Sequence, residues 1–377
     1  MEGFTIGDVA ATRRDVEAKI ATMDSLTETF RILDAAANRT REGLRVVEDF
    51  VRFGLNDAHL SRILKERRHE LASIMKALPA SSLLASRDTL HDVGTQIATT
   101  SEYHRTSPTD VVCAAFKRVQ EALRTLEEYS KVVDQKIAPR FEQLRYRLYT
   151  AEKAVLRTQS AVKRLEEQKL CLLVTSAQCT LGFEPVVKAA LDAGVRMFQL
   201  REKSLADREL VQQARRLREW TGVAGALMVI NDRPDIAVLS DADGVHIGQE
   251  ELTVQDARRI VGTERLVGVS THSIEQARQA VLDGADYLGV GPTFPSGTKS
   301  FAEFPGLNLV ATVASEIRLP WFAIGGIDCD NISDVANAGA VRIATGGAVC
   351  RSSSPSESAR RLIAAATPRE ESGESSK

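Results

Sequence analysis

The sequence predicts an α/β protein in which an all-α helical bundle precedes a (β/α)8 TIM barrel. Two observations lead to this fold class. Up to about residue 168, glycine is sparse and the apolar pattern is helical throughout. Beyond it, short apolar runs alternate with helical stretches, and glycines recur at the junctions. Alternation of this kind is typical of parallel β/α units, and eight strand-like runs suffice for one closed barrel.

The length of 377 residues suggests two or three domains, at roughly 100–200 residues per domain. The changes in pattern divide the chain into five segments. They are an N-terminal extension (1–25), a helical bundle (26–156), a charged connector (157–169), the barrel (170–366) and a disordered polar tail (367–377).

The helical bundle contains an internal repeat. Residues 39–50 (RTREGLRVVEDF) align with residues 118–129 (RVQEALRTLEEY), and each copy leads toward an arginine-rich helix, at 61–71 and 139–149. A duplication of this kind predicts two helical hairpins that pack together in the bundle.

Charged residues of the repeat lie three positions apart. On a helix, this spacing brings Arg39, Glu42 and Arg45 near one stripe. Two interpretations remain open. The stripe is either a solvated ladder of ion pairs, or the two copies face each other and form an anion site lined by arginines.

The loop between the two copies, residues 86–96 (SRDTLHDVGTQ), is polar. Its candidate ligand residues are Asp88, Asp92, Gly94 and Thr95. They suit a metal or phosphate site, and they suit a plain turn equally well.

Eight apolar runs are the candidate strands of the barrel. They are LCLLVT (170–175), MFQLR (197–201), ALMVIN (226–231), GVHIG (244–248), RLVGVS (265–270), YLGVG (287–291), WFAIGG (321–326) and VRIATG (341–346). A doubly wound open sheet is the alternative. It requires a glycine-rich turn after its first strand, and the turn here, TSAQCTLGF, has no GxGxxG motif. The pattern therefore favours the barrel.

The composition is ordinary for a soluble globular protein, with 43% hydrophobic and 27% charged residues. A net charge of −2 and a pI near 6.4 argue against nucleic-acid binding through bulk positive charge. No apolar run reaches the ~18–20 residues that cross a bilayer, and the N-terminus has no signal-peptide pattern. Five scattered cysteines without a CxxC pair predict reduced thiols in a cytoplasmic protein.

Polar residues cluster where the apolar runs end, which is the face on which such barrels carry their chemistry. Asp232 and Glu251 follow neighbouring strands. Oxygen ligands of this kind suit Mg²⁺, which completes its shell with phosphate oxygens and water. The alternative is a carboxylate pair that caps helices or pairs with Arg233.

Cationic residues gather at the same face. Gln199, Arg201 and Lys203 alternate along one strand end, so their side chains share a face that suits a phosphate. A solvent-exposed rim is the alternative for these three residues. Lys299 follows a Pro-Ser-Gly-Thr turn, whose amides and hydroxyls suit an anion.

Diglycines at 325–326 and 346–347 end the seventh and eighth strands, where many barrels bind a phosphate. The face therefore offers two anion sites. One combines Mg²⁺ with strong cations, as a diphosphate requires, and the other consists mainly of amides, as a monophosphate requires.

No Ser-His-Asp arrangement and no evident nucleophile accompanies these sites. His246 lies within the fourth strand and His272 ends the fifth, and both are expected in packing or at the rim. A site with Mg²⁺, a diphosphate and no general base suggests alkyl transfer, in which the cations stabilise the leaving diphosphate.

Residues 170–365 resemble the thiamine phosphate synthase family along nearly their whole length. The matching motifs are QLREK (199–203), ND (231–232), ADGVHIGQEE (242–251), GVS (268–270), GPTFPSGTK (291–299) and AIGGI (323–327). The resemblance implies a transferase that joins hydroxymethylpyrimidine diphosphate to hydroxyethylthiazole phosphate, forming thiamine phosphate and releasing diphosphate. In that family the diphosphate leaves first, and the thiazole nitrogen then attacks the pyrimidine carbocation.

The resemblance also implies roles for individual residues. The catalytic residues would be Arg201, Lys203, Ser270 and Lys299. The substrates would be bound by Gln199, Leu200, Arg201, Glu202, Lys203, Asn231, Ser270, Ser296, Gly297, Thr298, Lys299, Gly326, Gly346 and Gly347. Asp232 and Glu251 would hold the Mg²⁺ cofactor. The implied partners are these small molecules. A homo-oligomer stays open, and the composition and the apolar runs argue against nucleic acid and membrane as partners.

The chain departs from the family pattern at three points. Glu251 stands where the second metal ligand is usually Asp, and Ser296 stands where the family has Thr. The eighth strand ends in Gly346-Gly347 instead of Ile-Ser or Val-Ser, which keeps the backbone amides and loses a hydroxyl. The alternative relative is a thiazole tautomerase, which shares the barrel and handles no diphosphate.

Residues 25–150 resemble a helical domain that is fused ahead of thiamine phosphate synthases in some bacteria. The matching stretches are NRTREGLRVVEDF and SRDTLHDVGT. This resemblance implies a neighbouring step, the phosphorylation of hydroxymethylpyrimidine phosphate. The residues themselves predict no kinase, since no GxxxxGK[ST] motif is present. The alternative is a non-catalytic bundle that serves oligomerisation or regulation.

Overall fold

The computed structural model describes residues 6–97, 104–295 and 305–366. The chain divides into two units. One comprises Met1–Asn56 and Leu60–Glu152, and the other comprises Asp57–His59 and Lys153–Lys377. The tail 367–377 lies outside the described residues.

The first unit is helical, as the sequence predicts. The helices up to the barrel are α1 (Ile6–Asp49), α2 (Ala58–Met75), α3 (Ala80–Ala85), α4 (Pro108–Val133) and α5 (Ala138–Arg164), and a π-helical turn (Phe50–Leu55) follows α1. The segment that the sequence separates as an extension is continuous with α1 from Ile6 onward. The division between the two units falls inside α5.

The two copies of the repeat pack through α1 and α4. A Cβ atom on Gly43 would lie 2.5 Å from the Val119 Cγ2 atom and 3.2 Å from the Ala115 carbonyl oxygen. Because glycine has no side chain, the two helices approach closely at this point. The prediction that the copies pack together is therefore confirmed.

Each copy buries one ion pair. Glu48 binds Arg68 (Oε2–Nε, 2.7 Å) and Glu127 binds Arg145 (Oε2–Nη2, 2.8 Å). Glu48 and Glu127 are equivalent in the repeat, and their side chains are only 4% and 6% exposed. Loss of Arg145 would leave the buried Glu127 carboxylate with only the exposed Arg124 (2.6 Å), and loss of either buried partner should destabilise the fold.

The loop between the copies forms local turns. The Asp88 carboxylate accepts a hydrogen bond from the His91 backbone N–H (3.1 Å), and Asp92 accepts one from the Gly94 N–H (2.9 Å). Both carboxylates therefore serve their own loop, which agrees with the plain-turn interpretation. The side chain of Thr95 lies outside the described residues.

The second unit is a closed barrel of eight parallel strands, paired in chain order with β8 next to β1. The strands are β1 (Leu170–Val174), β2 (Met197–Leu200), β3 (Leu227–Asn231), β4 (Gly244–Ile247), β5 (Leu266–Thr271), β6 (Tyr287–Val290), β7 (Trp321–Ile324) and β8 (Ile343–Thr345). All eight candidate runs are confirmed, and the barrel, not the open sheet, is the fold.

Helices connect the strands and surround the barrel. They are α6 (Phe183–Asp192), α7 (Asp207–Val223), α8 (Pro234–Leu239), α9 (Val254–Val261), α10 (Ile274–Asp283), α11 (Gly306–Glu316), α12 (Ile332–Asn337), α13 (Gly347–Cys350) and α14 (Pro355–Ala366). No helix in the described part of the chain is long and apolar enough to cross a membrane.

Large side chains fill the barrel interior. Tyr287 and Phe322 meet edge to face with ring centroids 5.7 Å apart, and Leu165 joins the same buried cluster from beyond the end of α5. Gly268 provides the space for Tyr287, because a Cβ atom there would collide with the phenol ring. The interior is thus a packed core below the strand ends.

All five cysteines are free thiols, as the sequence predicts. Cys171 lies in the barrel interior, where burial raises the pKa of its thiol to about 12. A thiol with so high a pKa is scarcely ionised near neutral pH, and it is therefore inert.

Candidate active site

A cavity of about 870 Å³ opens at the carboxyl ends of the strands. It brings together ten of the residues that the sequence selects. They are Gln199, Arg201, Lys203, Asn231, Asp232, Glu251, Ser270, Gly326, Gly346 and Gly347. They come from six strand ends, and the convergence follows from the parallel barrel itself.

Leu200 and Glu202 do not line this cavity. Successive strand residues point to opposite faces, so Leu200 is buried away from the cavity that Gln199 and Arg201 face. The Glu202 carboxylate accepts hydrogen bonds from the Ser176 backbone N–H (2.6 Å) and the Gln213 side-chain amide (3.0 Å). Glu202 therefore anchors the loop after β1 and does not face the cavity.

Ser296, Gly297, Thr298 and Lys299 lie outside the described residues. Pro295, the last described residue before them, lines the cavity, as do Gly291 and Pro292. The assignments of these four residues therefore remain predictions.

Two carboxylates line one side of the cavity. Asp232 follows β3 with a left-handed backbone (φ +61°), and its N–H donates to the His246 carbonyl oxygen (2.7 Å). Glu251 lies over Gly248, where any Cβ atom would collide with the Glu251 carboxylate. Burial, and then the charge of Glu251, raise the pKa of the Asp232 carboxyl.

Polar and cationic side chains surround Asp232. The Asn231 side-chain amide donates a hydrogen bond to the Asp232 Oδ2 atom (2.6 Å), and the Lys203 ammonium lies 3.8 Å from the same oxygen. Arg233 does not take this position, since its guanidinium binds Asp207 and Asp235 (2.7 Å each). Asp232 is therefore free of the Arg233 pairing that the sequence left open.

His246 links the barrel core to the cavity. Its Nδ1 atom lies 3.1 Å from the Tyr287 hydroxyl, and its Nε2 atom lies 2.9 Å from the Ser270 hydroxyl. Burial raises the pKa of Tyr287 well above its usual value, so the phenol stays protonated. We assign the tautomer in which Tyr287 donates to Nδ1 and Nε2 donates to Ser270. The Ser270 hydroxyl proton is then left for a ligand.

His246 is therefore expected to be a positioning residue for Ser270. Replacing His246 with alanine should lower kcat/KM about tenfold, because Ser270 loses one hydrogen-bond partner. The His246→Ala and Ser270→Ala effects should not multiply in the double variant, since both remove the same interaction. Steady-state kinetics on the four proteins measure this coupling, with thermal unfolding as the control for folding. Fully multiplicative losses would contradict the assignment.

Glycines form the opposite side of the cavity. Gly326 has a left-handed backbone (φ +66°), and a Cβ atom there would lie 2.9 Å from both the Phe294 Cβ atom and the Pro295 carbonyl oxygen. A larger residue at position 326 would therefore displace Phe294 and Pro295. Gly347 begins α13, and its backbone amide lies at the start of that short helix.

Arg351 also lines the cavity, and sequence reasoning missed it. Its side chain passes beside Gly347, with the Nε atom 3.8 Å from the position of a Cβ there. The signal in the sequence was an arginine four residues after the second glycine. The glycine side of the cavity thus combines backbone amides with one strong cation. Other lining residues that were missed are Thr175, Gln178, Asp328 and Thr345.

The cavity therefore has two cationic regions. Arg201 and Lys203 lie beside the carboxylate pair, and Arg351 lies beside the glycine amides. His272, the other candidate base, has its Nδ1 atom 2.6 Å from the Gly291 carbonyl oxygen, so that this nitrogen serves the loop.

Comparison with known proteins gives two family matches. Residues 170–349 match the family described as thiamine monophosphate synthase, and residues 31–154 match the ThiD2 family. Thiamine-phosphate synthase from Rhodopirellula baltica is 44% identical over 85% of this chain and 88% of that protein. The enzyme of that name from Nostoc punctiforme is 42% identical over 84% of this chain and 88% of that protein.

The barrel is also similar to solved structures. Thiamine phosphate pyrophosphorylase from Pyrococcus furiosus superposes with a TM-score of 0.50 and 30% sequence identity, covering 56% of this chain and 97% of that one. The two proteins from Rhodopirellula and Nostoc, by contrast, match most of both units.

Proposed function

We propose, from the premise that this chain belongs to the thiamine-phosphate synthase family, that its barrel joins hydroxymethylpyrimidine diphosphate to hydroxyethylthiazole phosphate. Membership makes the protein a transferase of thiamine biosynthesis. The observation that carries the proposal is the presence of two cationic regions in one cavity, each suited to one phosphorylated substrate.

The diphosphate substrate binds beside the carboxylate pair. Arg201 and Lys203 provide a planar guanidinium and a compact ammonium for its oxygens, and Lys299 completes the cationic set. The side-chain amides of Gln199 and Asn231 donate and accept hydrogen bonds, which suits the aminopyrimidine ring. Ser270, held by His246, donates to the same substrate.

Asp232 and Glu251 fit a Mg²⁺ ion. Burial and then the charge of Glu251 raise the pKa of the Asp232 carboxyl, and a divalent cation between the two carboxylates would relieve their repulsion. No group of three or more potential ligand side chains occurs among residues 6–97, 104–295 and 305–366. A site with two carboxylates suits Mg²⁺, which takes its other ligands from phosphate and water. When bound, the ion supplies charge stabilisation to the leaving diphosphate.

The reaction needs no general base. The bond between the pyrimidine methylene carbon and the diphosphate oxygen breaks, and its electron pair leaves with the diphosphate. The lone pair of the thiazole nitrogen then forms the new C–N bond. Arg201, Lys203 and Lys299 stabilise the charge that develops on the leaving group, while Gln199 and Asn231 hold the ring in line for attack.

The thiazole phosphate binds on the glycine side. The amides of Gly326, Gly346 and Gly347 approach the phosphate closely because these residues have no side chains. Ser296, Gly297 and Thr298 supply hydroxyls and amides from the neighbouring loop. Arg351 supplies the cation that replaces the hydroxyl lost at the end of β8.

Mass spectrometry of the reaction provides the test. The full-length protein with both precursors and Mg²⁺ should form thiamine phosphate and diphosphate in equal amounts, and EDTA should abolish both products. Binding of the thiazole phosphate without any turnover would overturn the proposal and favour a tautomerase or a regulatory protein.

Glu251→Gln should raise the Mg²⁺ concentration for half-maximal activity by about 10- to 100-fold, since a charged oxygen ligand is lost. Glu250→Gln is the matched control, because Glu250 is exposed and does not line the cavity. Mg²⁺ titrations of initial rate compare the two variants. Equal Mg²⁺ dependence in both would remove Glu251 from the metal site.

Arg351→Ala should raise the KM for the thiazole phosphate about tenfold and leave kcat nearly unchanged, because Arg351 contacts a phosphate that does not react. The KM for the pyrimidine diphosphate should not change. Arg360→Ala, an exposed position on α14, is the control. Equal KM values for the thiazole phosphate in the two variants would exclude Arg351 from that site.

Two hypotheses are kept for the helical unit: a kinase for hydroxymethylpyrimidine phosphate, and a non-catalytic bundle for oligomerisation or regulation. The full-length protein distinguishes them. Formation of the pyrimidine diphosphate from ATP and the monophosphate supports the kinase. If that product does not form and the molecular mass of the protein in solution exceeds that of one chain, the oligomerisation bundle is supported.

A further inference from the structure

A groove of about 580 Å³ on the helical unit is lined by three arginines. Arg39 comes from α1, Arg118 from α4, and Arg105 from the segment before α4. The remaining described lining residues are Glu42, Gly43, Val46, Val111 and Ala115. The groove therefore has cationic groups, one carboxylate and an apolar side.

The internal repeat explains why two of these arginines meet. Arg39 and Arg118 occupy the same position in the two copies. The close approach of α1 and α4 at Gly43 brings both positions to a single groove. The two copies of the repeat therefore face each other, which was one of the two interpretations of the sequence. This arrangement concentrates positive charge in the groove.

Other arginines of the repeat are already paired. Arg45 binds Asp49 (3.4 Å), and its counterpart Arg124 binds Glu128 (2.9 Å). The ion pairs that the sequence predicts are therefore present at Arg45 and Arg124, which do not line the groove. Arg39 and Arg118, by contrast, have no hydrogen-bond or ion-pair partner among the described residues.

We propose that this groove binds the phosphate group of a small phosphorylated molecule, at a site separate from the barrel and beyond the synthase reaction. Two guanidinium groups offer planar pairs of N–H donors that match phosphate oxygens. Glu42, which also has no partner among the described residues, accepts a hydrogen bond from an N–H or O–H group elsewhere on the ligand. Val46 and Val111 provide apolar contact for its carbon atoms.

Chemical labelling of arginines tests the site directly. The full-length protein is treated with phenylglyoxal in the presence of inorganic phosphate, of pyrophosphate, or of sodium chloride at matched ionic strength, and modification of each arginine is measured by peptide mass spectrometry. Phosphate or pyrophosphate should slow modification of Arg39 and Arg118 several-fold. Arg41, exposed on the same helix and outside the groove, is the internal control.

The outcomes separate the sources of protection. Stronger protection by pyrophosphate indicates a diphosphate ligand, and equal protection indicates a single phosphate. Protection of Arg41 to the same extent as Arg39 and Arg118 would mean only general screening, and it would overturn the proposal. Because the readout is at residues of the helical unit, binding of either probe in the barrel does not affect it.

Variants test whether the two arginines share one ligand. Arg118→Gln should raise the phosphate or pyrophosphate concentration that half-protects Arg39 about tenfold or more, since a charge-assisted hydrogen bond to the probe is lost. Arg118→Lys, which keeps the charge without the guanidinium, should give a smaller loss. Arg41→Gln should change nothing, and the synthase rate should stay constant in all three. Unchanged protection of Arg39 in Arg118→Gln would overturn the proposal.

Discussion

Arg201→Ala is expected to lower kcat/KM by about 10²- to 10³-fold. Arg201 lines the cavity at the end of β2 together with Lys203. In the reaction that we propose, it stabilises the charge that develops on the leaving diphosphate. Removal of one donor that stabilises such charge commonly has an effect of this size. The loss should appear in kcat as well as in kcat/KM, because the interaction strengthens as the bond breaks.

Arg208→Ala is the control for this substitution. Arg208 lies in the first turn of α7, is exposed and does not line the cavity. Lys299→Ala should show a loss similar to that of Arg201→Ala, since we propose that both cations bind the diphosphate. Initial rates of pyrophosphate release measure all three variants. Near-normal turnover in both Arg201→Ala and Lys299→Ala would refute the diphosphate site.

Asp232→Asn is expected to lower kcat/KM by at least about 10²-fold at a fixed Mg²⁺ concentration. Asparagine tolerates the left-handed backbone that Asp232 adopts, so the substitution removes the charge and leaves the backbone in place. The loss should be reduced partly by high Mg²⁺, because Glu251 remains. Initial rates over a range of Mg²⁺ concentrations measure the effect.

Asp241→Asn is the matched control for Asp232→Asn. Asp241 also has a left-handed backbone (φ +52°), but its side chain is 82% exposed and pairs with Arg265 at 2.9 Å on the surface. An exposed pair of this kind contributes about 0–1 kcal/mol to stability, so activity should be unaffected. Comparable losses in both variants would indicate a backbone effect and contradict a metal-binding role for Asp232.

The sequence determined much of the barrel site through simple rules. Apolar runs that alternate with helices have one closed parallel arrangement, in which all strand ends meet on a single face. The positions of Gln199, Arg201, Asp232 and Glu251 at the ends of such runs were therefore enough to group them in one site. The resemblance to a family then supplied the chemistry, which strand periodicity alone does not specify.

Tertiary structure decided the features that depend on contacts between distant segments. The hydrogen bond between His246 and Ser270 joins two strands, and the hydrogen bond from the Ser176 N–H to Glu202 joins the loop after β1 to the end of β2. Such contacts lie outside the range of local sequence patterns.

The helical unit shows the same division between local and long-range information. The sequence determined the duplication and the charged stripes, because both are periodic along the chain. It left open whether the arginines pair on the surface or converge. The approach of α1 and α4 at Gly43 decided that Arg39 and Arg118 share one groove, while Arg45 and Arg124 keep their acidic neighbours. The physical reason is that the spacing of residues along a helix determines the face on which a side chain lies. Only the packing of the helices determines which residues contact that face.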